Sequence, residues 1–125
     1  MAQRRDLSRM SDTDLTSLER AVANFAEERD WGQFHDPKNL SMALASEVGE
    51  LAAVLRWIGN AEADQAAADP TTRAKLLQEI GDIGILLIAL CNRLGVHLDD
   101  AVVANLALNA ERYPVDSSYG RANRS

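Results

Sequence analysis

Leu40-Ser41-Met42-Ala43-Leu44-Ala45-Ser46-Glu47-Val48-Gly49-Glu50-Leu51 and Leu76-Leu77-Gln78-Glu79-Ile80-Gly81-Asp82-Ile83 are the stretches that decide the fold. Leu40, Leu44, Glu47, Leu51, Val54 and Ile58 recur at alternating spacings of four and three, as do Leu76, Glu79, Ile83, Leu86 and Leu90. That is the period of the apolar stripe on a core-facing α-helix. A carboxylate interrupts each stripe where a core side chain is expected. Each has an acidic companion three residues on, Glu50 and Asp82, and i, i+3 spacing puts both members of a pair on one helix face. A buried ionised carboxylate without partners costs several kcal/mol or more, roughly, and tends to neutralise instead. Four of them converging also repel one another. A hard divalent cation removes both problems, and an all-oxygen donor set suits Mg²⁺ or Mn²⁺. The pattern predicts a metal site inside a helical bundle.

The rest of the chain supports an all-α reading, since no period-two strand pattern competes. Ser11-Asp12-Thr13-Asp14 is a capping signal, and Leu15, Leu18, Val22 and Phe25 give the first helix one apolar face, ending near Asp30. Trp31-Gly32-Gln33-Phe34-His35-Asp36-Pro37 is punctuated as a loop. The second helix is expected from about Asn39 to Ile58, with Gly59-Asn60 as its C-cap. Residues 61–69 are a short helix or a loose connection. Pro70 opens a third helix that runs to Leu94, before Gly95. Its section Ile80 to Cys91 is apolar nearly all round and is expected to be buried on most faces. Asp99 or Asp100 caps a fourth helix ending near Arg112. This divides the chain into a flexible tail over 1–11, one domain over 12–115, and a polar flexible tail over 116–125.

A chain of 125 residues supports one domain with a real core. Its 46% hydrophobic and 26% charged content is that of an ordinary globular protein. The net charge is −6, with no basic cluster on any expected face, which argues against a nucleic-acid polymer or an anionic membrane as partner. A small phosphate ligand needs only a metal and one or two cations. The single cysteine, Cys91, lies in an apolar run and reads as a buried small hydrophobe. No secretory leader precedes residue 12, and no uncharged apolar run reaches the roughly 18 residues of a membrane span. The expected location is the cytoplasm. A bundle this small does not easily cover a helix that is apolar all round, so a homo-oligomer, dimer or tetramer, is expected. The alternative is a monomer that wraps the third helix with the other three.

These residues also carry a resemblance. Glu47-x-x-Glu50 followed by Glu79-x-x-Asp82 resembles the metal signature of the all-α nucleoside-triphosphate pyrophosphohydrolases, the MazG-like superfamily. The strings Glu28-Arg29-Asp30-Trp31-x-Gln33-Phe34-His35-x-Pro37-Lys38-Asn39-Leu40, Ala43-Leu44-x-x-Glu47-Val48-Gly49-Glu50-Leu51, Trp57, and Asn109-x-x-Arg112-Tyr113-Pro114 are similar to its dCTP-pyrophosphatase branch. The likeness runs from about residue 18 to 115. It implies a four-helix bundle of the all-α NTP pyrophosphatase type, completed by homo-oligomerisation. It also implies hydrolysis of a nucleoside triphosphate, dCTP or a modified-base analogue among the options, to the monophosphate and pyrophosphate. Glu47, Glu50, Glu79 and Asp82 would hold Mg²⁺, and Glu47 or Glu50 would act as general base.

A nucleobase needs a flat apolar surface, and stacking on an aromatic ring is worth roughly 1–3 kcal/mol. The two tryptophans, Trp31 and Trp57, lie about 30 Å apart along the second helix at 1.5 Å per residue. One subunit would hardly bring both to one base, whereas two antiparallel copies of that helix would. His35 and Asn109 are placed to read base edges or contact the sugar, and Lys38, Arg56 or Arg112 to meet phosphate. Tyr113 is either a substrate contact or the anchor that ends the last helix. Two positions depart from the branch: Asn105 stands where a lysine is usual, and Gln78 where a glutamate is frequent. They bear on phosphate affinity and substrate choice and leave the carboxylate quartet whole. A non-catalytic metal- or nucleotide-binding regulator and a purely structural helical module are the alternatives. A phosphoribosyl-ATP type pyrophosphohydrolase is a second enzymatic one, and the aromatic loop around Trp31 argues against it.

Overall fold

The computed structural model describes residues 14–121. The capping residues 11–13, the whole N-terminal tail and residues 122–125 lie outside that range. Within it the elements are α1 (Leu15–Glu28), a 3₁₀ turn (Trp31–Gln33), α2 (Pro37–Leu55), a second 3₁₀ turn (Asn60–Glu62), α3 (Ala63–Ala68), α4 (Pro70–Leu94), α5 (Leu98–Arg112) and α6 (Val115–Ser118). There is no strand among the described residues. The 116–125 stretch, expected as a flexible tail, starts inside the single helical turn of α6.

Side-chain caps set most helix starts. Asp14 accepts from the Ser17 N–H at 2.9 Å, Asp36 from the Asn39 N–H at 2.8 Å, and Asp69 from the Thr72 N–H at 3.2 Å. Such caps are worth about 1 kcal/mol each. Pro37 and Pro70 occupy the first helical positions, where no N–H is needed. α2 therefore begins two residues earlier than its apolar pattern suggests. It also stops earlier, at Leu55, and Gly59 has an extended backbone (φ −65°, ψ 148°) that opens the next 3₁₀ turn rather than capping α2. α5 is capped by His97, without a side-chain hydrogen bond, so Asp99 and Asp100 fall in its first turn instead. There they complement the helix dipole. α4 ends on Gly95 at φ 70°, with the Val96 N–H bonded to the Cys91 carbonyl and the Gly95 N–H to that of Asn92. This is the paired bonding of a glycine-closed helix end, a conformation costly for any residue with a Cβ.

α4 is the axis of the fold. α2 packs along it, and α1 and α3 pack beside it. Leu40 is 2% exposed and forms the core with Ile88 and Cys91. The predicted stripes are the facing seams: Leu44, Leu51 and Val54 of α2 and Leu76, Ile83, Leu86 and Leu90 of α4 are all partly buried. Among the described residues the other faces of α4 are not covered. Leu77, Ile80 and Ile85 are each more than half exposed, against the expectation of burial on most faces. The reason is α5, which makes no extended contact with the other helices. Its start is tied down: His97 Nδ1 lies 2.8 Å from Glu19 Oε2 on α1, and the Asn92 amide donates to the Glu19 carbonyl at 3.1 Å. The Glu19 carboxylate raises the His97 pKa above its usual value, first by that hydrogen bond and then by its charge. Beyond this joint α5 leaves Val102, Val103, Leu106 and Leu108 exposed.

Candidate active site

α2 and α4 bring the acidic pairs together because the interrupted stripes are the faces that pack. Glu47, Glu50 and Glu79 each offer a carboxylate oxygen, and these atoms lie within 4.8 Å of one another. Glu47 and Glu79 are partly buried, and Glu50 stands at the exposed rim. Asp82, one turn further along α4, adds its charge to the same cluster. The Glu47 Oε2 and Glu79 Oε2 atoms are buried and have no hydrogen-bond partner. Buried polar atoms in native proteins are nearly always satisfied, so two orphaned carboxylate oxygens in one acidic cluster need an explanation.

Protonation satisfies part of that need. The Glu79 pKa is pushed up to about 7, first by a hydrogen bond shared with the Glu47 carboxyl, then by loss of water, and then by the charges of Glu47, Glu50 and Asp82. One proton between the two carboxyls supplies that bond. Once it leaves, neither buried oxygen has a donor. A divalent cation would take the proton's place with more ligands and more charge, and three or four carboxylate oxygens are the donor set of Mg²⁺ or Mn²⁺. The orphaned oxygens and their donor chemistry fit such an ion. Ligation requires Glu79 to be deprotonated, so cation and proton compete for this site.

The aromatic loop lies at the other end of α2. Pro37 precedes Glu47 by ten residues, about 15 Å of helix. Trp31 is 41% exposed and meets Phe25 edge-on at 5.7 Å and His35 at 6.0 Å between ring centroids. The Arg29 guanidinium covers the Phe25 ring at 3.6 Å and donates to the Phe25 carbonyl. Asp30 takes a left-handed backbone (φ 54°), and the Gln33 amide bonds both its carbonyl and its carboxylate. Beneath the loop is a cleft of about 210 Å³ between α1 and α4, whose lining includes His35, Asn92 and Arg93. Asn92 and Arg93 went unnoticed in the sequence because only the pairing of α4 with the loop places them there.

The remaining candidates are scattered. Lys38 is exposed in the first turn of α2. Trp57 lies past the opposite end of α2 from Trp31, 85% exposed, with the Arg56 guanidinium 5.2 Å from its ring centroid. Asn109 and Arg112 are on α5, with Tyr113 at its end. Asn109 and Tyr113 are half-buried, while Asn105 and Arg112 are exposed. Thus one chain assembles the carboxylates and, separately, Trp31 with His35. It does not bring Trp57 to Trp31.

The architecture recurs in a solved structure. A pyrophosphatase from Archaeoglobus fulgidus superposes with a TM-score of 0.74 at 24% identity, over 90% of this chain and 99% of that one. No protein-family model matches the chain. The two proteins share one all-α fold.

In sequence, the chain is similar to dCTP pyrophosphatase 1 of mammals. It is 46% identical to the rat protein over 108 residues, which cover 86% of this chain and 64% of that protein. The bovine protein is 46% identical over 112 residues (90% and 66%), and the human protein 44% identical over 100 residues (80% and 59%). The chain therefore spans just under two thirds of these relatives' length.

Proposed function

We propose that the protein is a divalent-metal-dependent nucleoside-triphosphate pyrophosphohydrolase, acting on dCTP or a modified-base analogue in the free nucleotide pool of the cytoplasm. The observation that carries this reading is the convergence of Glu47, Glu50 and Glu79 with two buried, unpartnered carboxylate oxygens. The homology to dCTP pyrophosphatase 1 supports the reaction class. Glu47, Glu50, Glu79 and Asp82 would hold Mg²⁺, or Mn²⁺ in its place. A bound cation of this kind neutralises triphosphate charge and stabilises the charge that develops on in-line attack. Glu50, the exposed member, meets solvent directly and takes the proton of the attacking water, with Glu47 beside it as the second candidate base. Trp31 and His35 present an aromatic surface to the base. Lys38 and Arg112 supply positive charge for phosphates, and Asn109 and Tyr113 supply hydrogen bonds.

The complete site is shared between copies of the chain in a homodimer or homotetramer. Two observations support this: Trp31 and Trp57 lie beyond opposite ends of α2, and α5, which carries Asn109 and Arg112, leaves its apolar side chains open. Among the described residues no helix is long and apolar enough to cross a membrane.

The test is pyrophosphate release across dNTPs, NTPs and modified-base triphosphates, with and without Mg²⁺. Metal-dependent release of pyrophosphate with the monophosphate as co-product is the expected result. Tight Mg²⁺ or nucleotide binding with no product from any triphosphate overturns it, and favours the non-catalytic regulator that Asn105 suggests.

A further inference from the structure

The hydrogen bonds that hold the Trp31 loop are almost all local. The Phe34 N–H bonds the Trp31 carbonyl, the Gln33 amide bonds Asp30, and the Asn39 amide bonds the Phe34 carbonyl at 3.0 Å. Each ties the loop to itself or to its neighbours in sequence. Among the described residues, one hydrogen bond ties this loop to a helix distant in sequence: Arg93 Nη1 donates to the Gly32 carbonyl at 3.1 Å. The same carbonyl accepts from the His35 N–H at 3.3 Å, so one oxygen next to Trp31 joins the loop's own turn to α4. Arg93 sits in the last turn of α4, on the helix that carries Glu79 and Asp82. It also lines the cleft beneath His35.

We infer that Arg93 is a positioning residue: it fixes the Trp31–His35 platform to the helix that carries half of the carboxylate cluster. The inference rests on the proposed reading of Trp31 and His35 as the base platform. A triphosphate must reach from a stacking ring to the carboxylates, so both must share one rigid frame for base and phosphate to be in place together. Arg93 supplies this frame through a charged, forked donor, which holds a carbonyl more firmly than a neutral one does. A cation in the last turn of a helix also complements its dipole. That role needs only charge, so lysine would fill it completely.

The experiment compares the unaltered protein with Arg93→Ala, Arg93→Gln and Arg93→Lys. Acrylamide quenching of Trp31 fluorescence, measured in a Trp57→Phe background without substrate, reads the loop directly. Arg93→Ala is expected to raise quenching. It is also expected to raise KM for the preferred triphosphate about threefold to tenfold, the size of one solvent-exposed hydrogen bond, with a smaller change in kcat. Arg93→Lys restores part of both effects, and Arg93→Gln restores less. The Mg²⁺ concentration for half-maximal stabilisation stays unchanged, because the carboxylates are not touched. Unaltered quenching in Arg93→Ala overturns the inference. So does full rescue of both readouts by lysine, or a fall in melting temperature and kcat with KM unmoved, since charge or general stability then explains Arg93. If the unaltered protein releases no pyrophosphate, the proposed function fails by itself, and quenching alone still decides whether Arg93 holds the loop.

Discussion

The α2–α4 seam and α5 are both helical and both carry apolar side chains, yet one is finished within the chain and the other is not. Within α2 and α4 every stripe position is at least partly buried, only Ile58, past the end of α2, being exposed, and the two stripe carboxylates lie within 4.8 Å of each other. On α5, Leu106 is 61% exposed and Val103 65%, and no other described helix packs along them. An apolar helix face left in water forgoes roughly 25 cal/mol for every Å² it fails to bury. The contrast separates two jobs. Under the proposed function the seam holds its charges together for a cation, and the open face of α5 receives a second copy of the chain.

The largest effect expected from breaking the seam side of this contrast is Glu47→Gln. It removes one of the two orphaned oxygens' charges and leaves the fold in place. Hydrolysis should fall on the order of a hundredfold or more at saturating Mg²⁺. The melting temperature in EDTA should hold or rise by a few degrees, because like-charge repulsion is relieved. Steady-state kinetics and a thermal melt with and without Mg²⁺ check both halves. Full activity would remove Glu47 from the metal site.

The other side breaks at Leu106→Asp. A charge on the open face of α5 should turn a sedimenting dimer or tetramer into a monomer at micromolar concentration and reduce activity with it. Analytical ultracentrifugation reads the first, and a mixing experiment sharpens the second. Trp31→Ala and Glu79→Gln variants, each weak alone, should recover activity together if sites are shared. A fully active monomer rules out the shared site.

A smaller effect follows from the raised Glu79 pKa of about 7. In the unfolded chain this carboxyl titrates near its usual value, about 4.3. Between those values the folded state holds a proton that the unfolded chain has released. The contribution is therefore present at low pH and is lost as pH rises through about 7. In EDTA the melting temperature should decline over that window, and Glu79→Gln should flatten the decline. With Mg²⁺ the trend should reverse, because the cation binds the deprotonated form and stabilises only the folded state. A pH-independent melt in EDTA would show that the carboxyls are better solvated than their burial indicates.

The smallest expected effect links the two regions. Asn105 lies on α5 in the stripe of Asn109 and Arg112, where a lysine would put an ammonium. A charge-assisted hydrogen bond is roughly twice as strong as a neutral one. Asn105→Lys should lower KM several-fold with little change in kcat, the pattern of uniform binding. An unchanged KM would mean that another cation already meets the phosphates.

Much of this was written locally. The stripes through Glu47 and Glu79 named the facing seams correctly, because a helix has one period and one inward face. Pro70 and Gly95 marked helix ends for reasons confined to a few backbone atoms, whereas Pro37, read as part of the loop, is the first residue of α2. Less legible were ends where two local signals compete. Gly59 looked like a cap, but the chain left the helix at Leu55 and used that glycine to enter a 3₁₀ turn. His97 took the cap position expected of Asp99 or Asp100, and its ring is held near Glu19, far away in sequence.

By itself, then, the sequence determined the four longer helices, the stripes that face each other along α2 and α4 and the carboxylates on them, since these follow from spacing along one helix. Only the tertiary structure decided that Glu47, Glu50 and Glu79 meet within 4.8 Å, that Arg93 reaches the Gly32 carbonyl, and that α5 stays uncovered. Each of those depends on how helices distant in sequence are placed against one another, and no periodicity within a single segment encodes that placement.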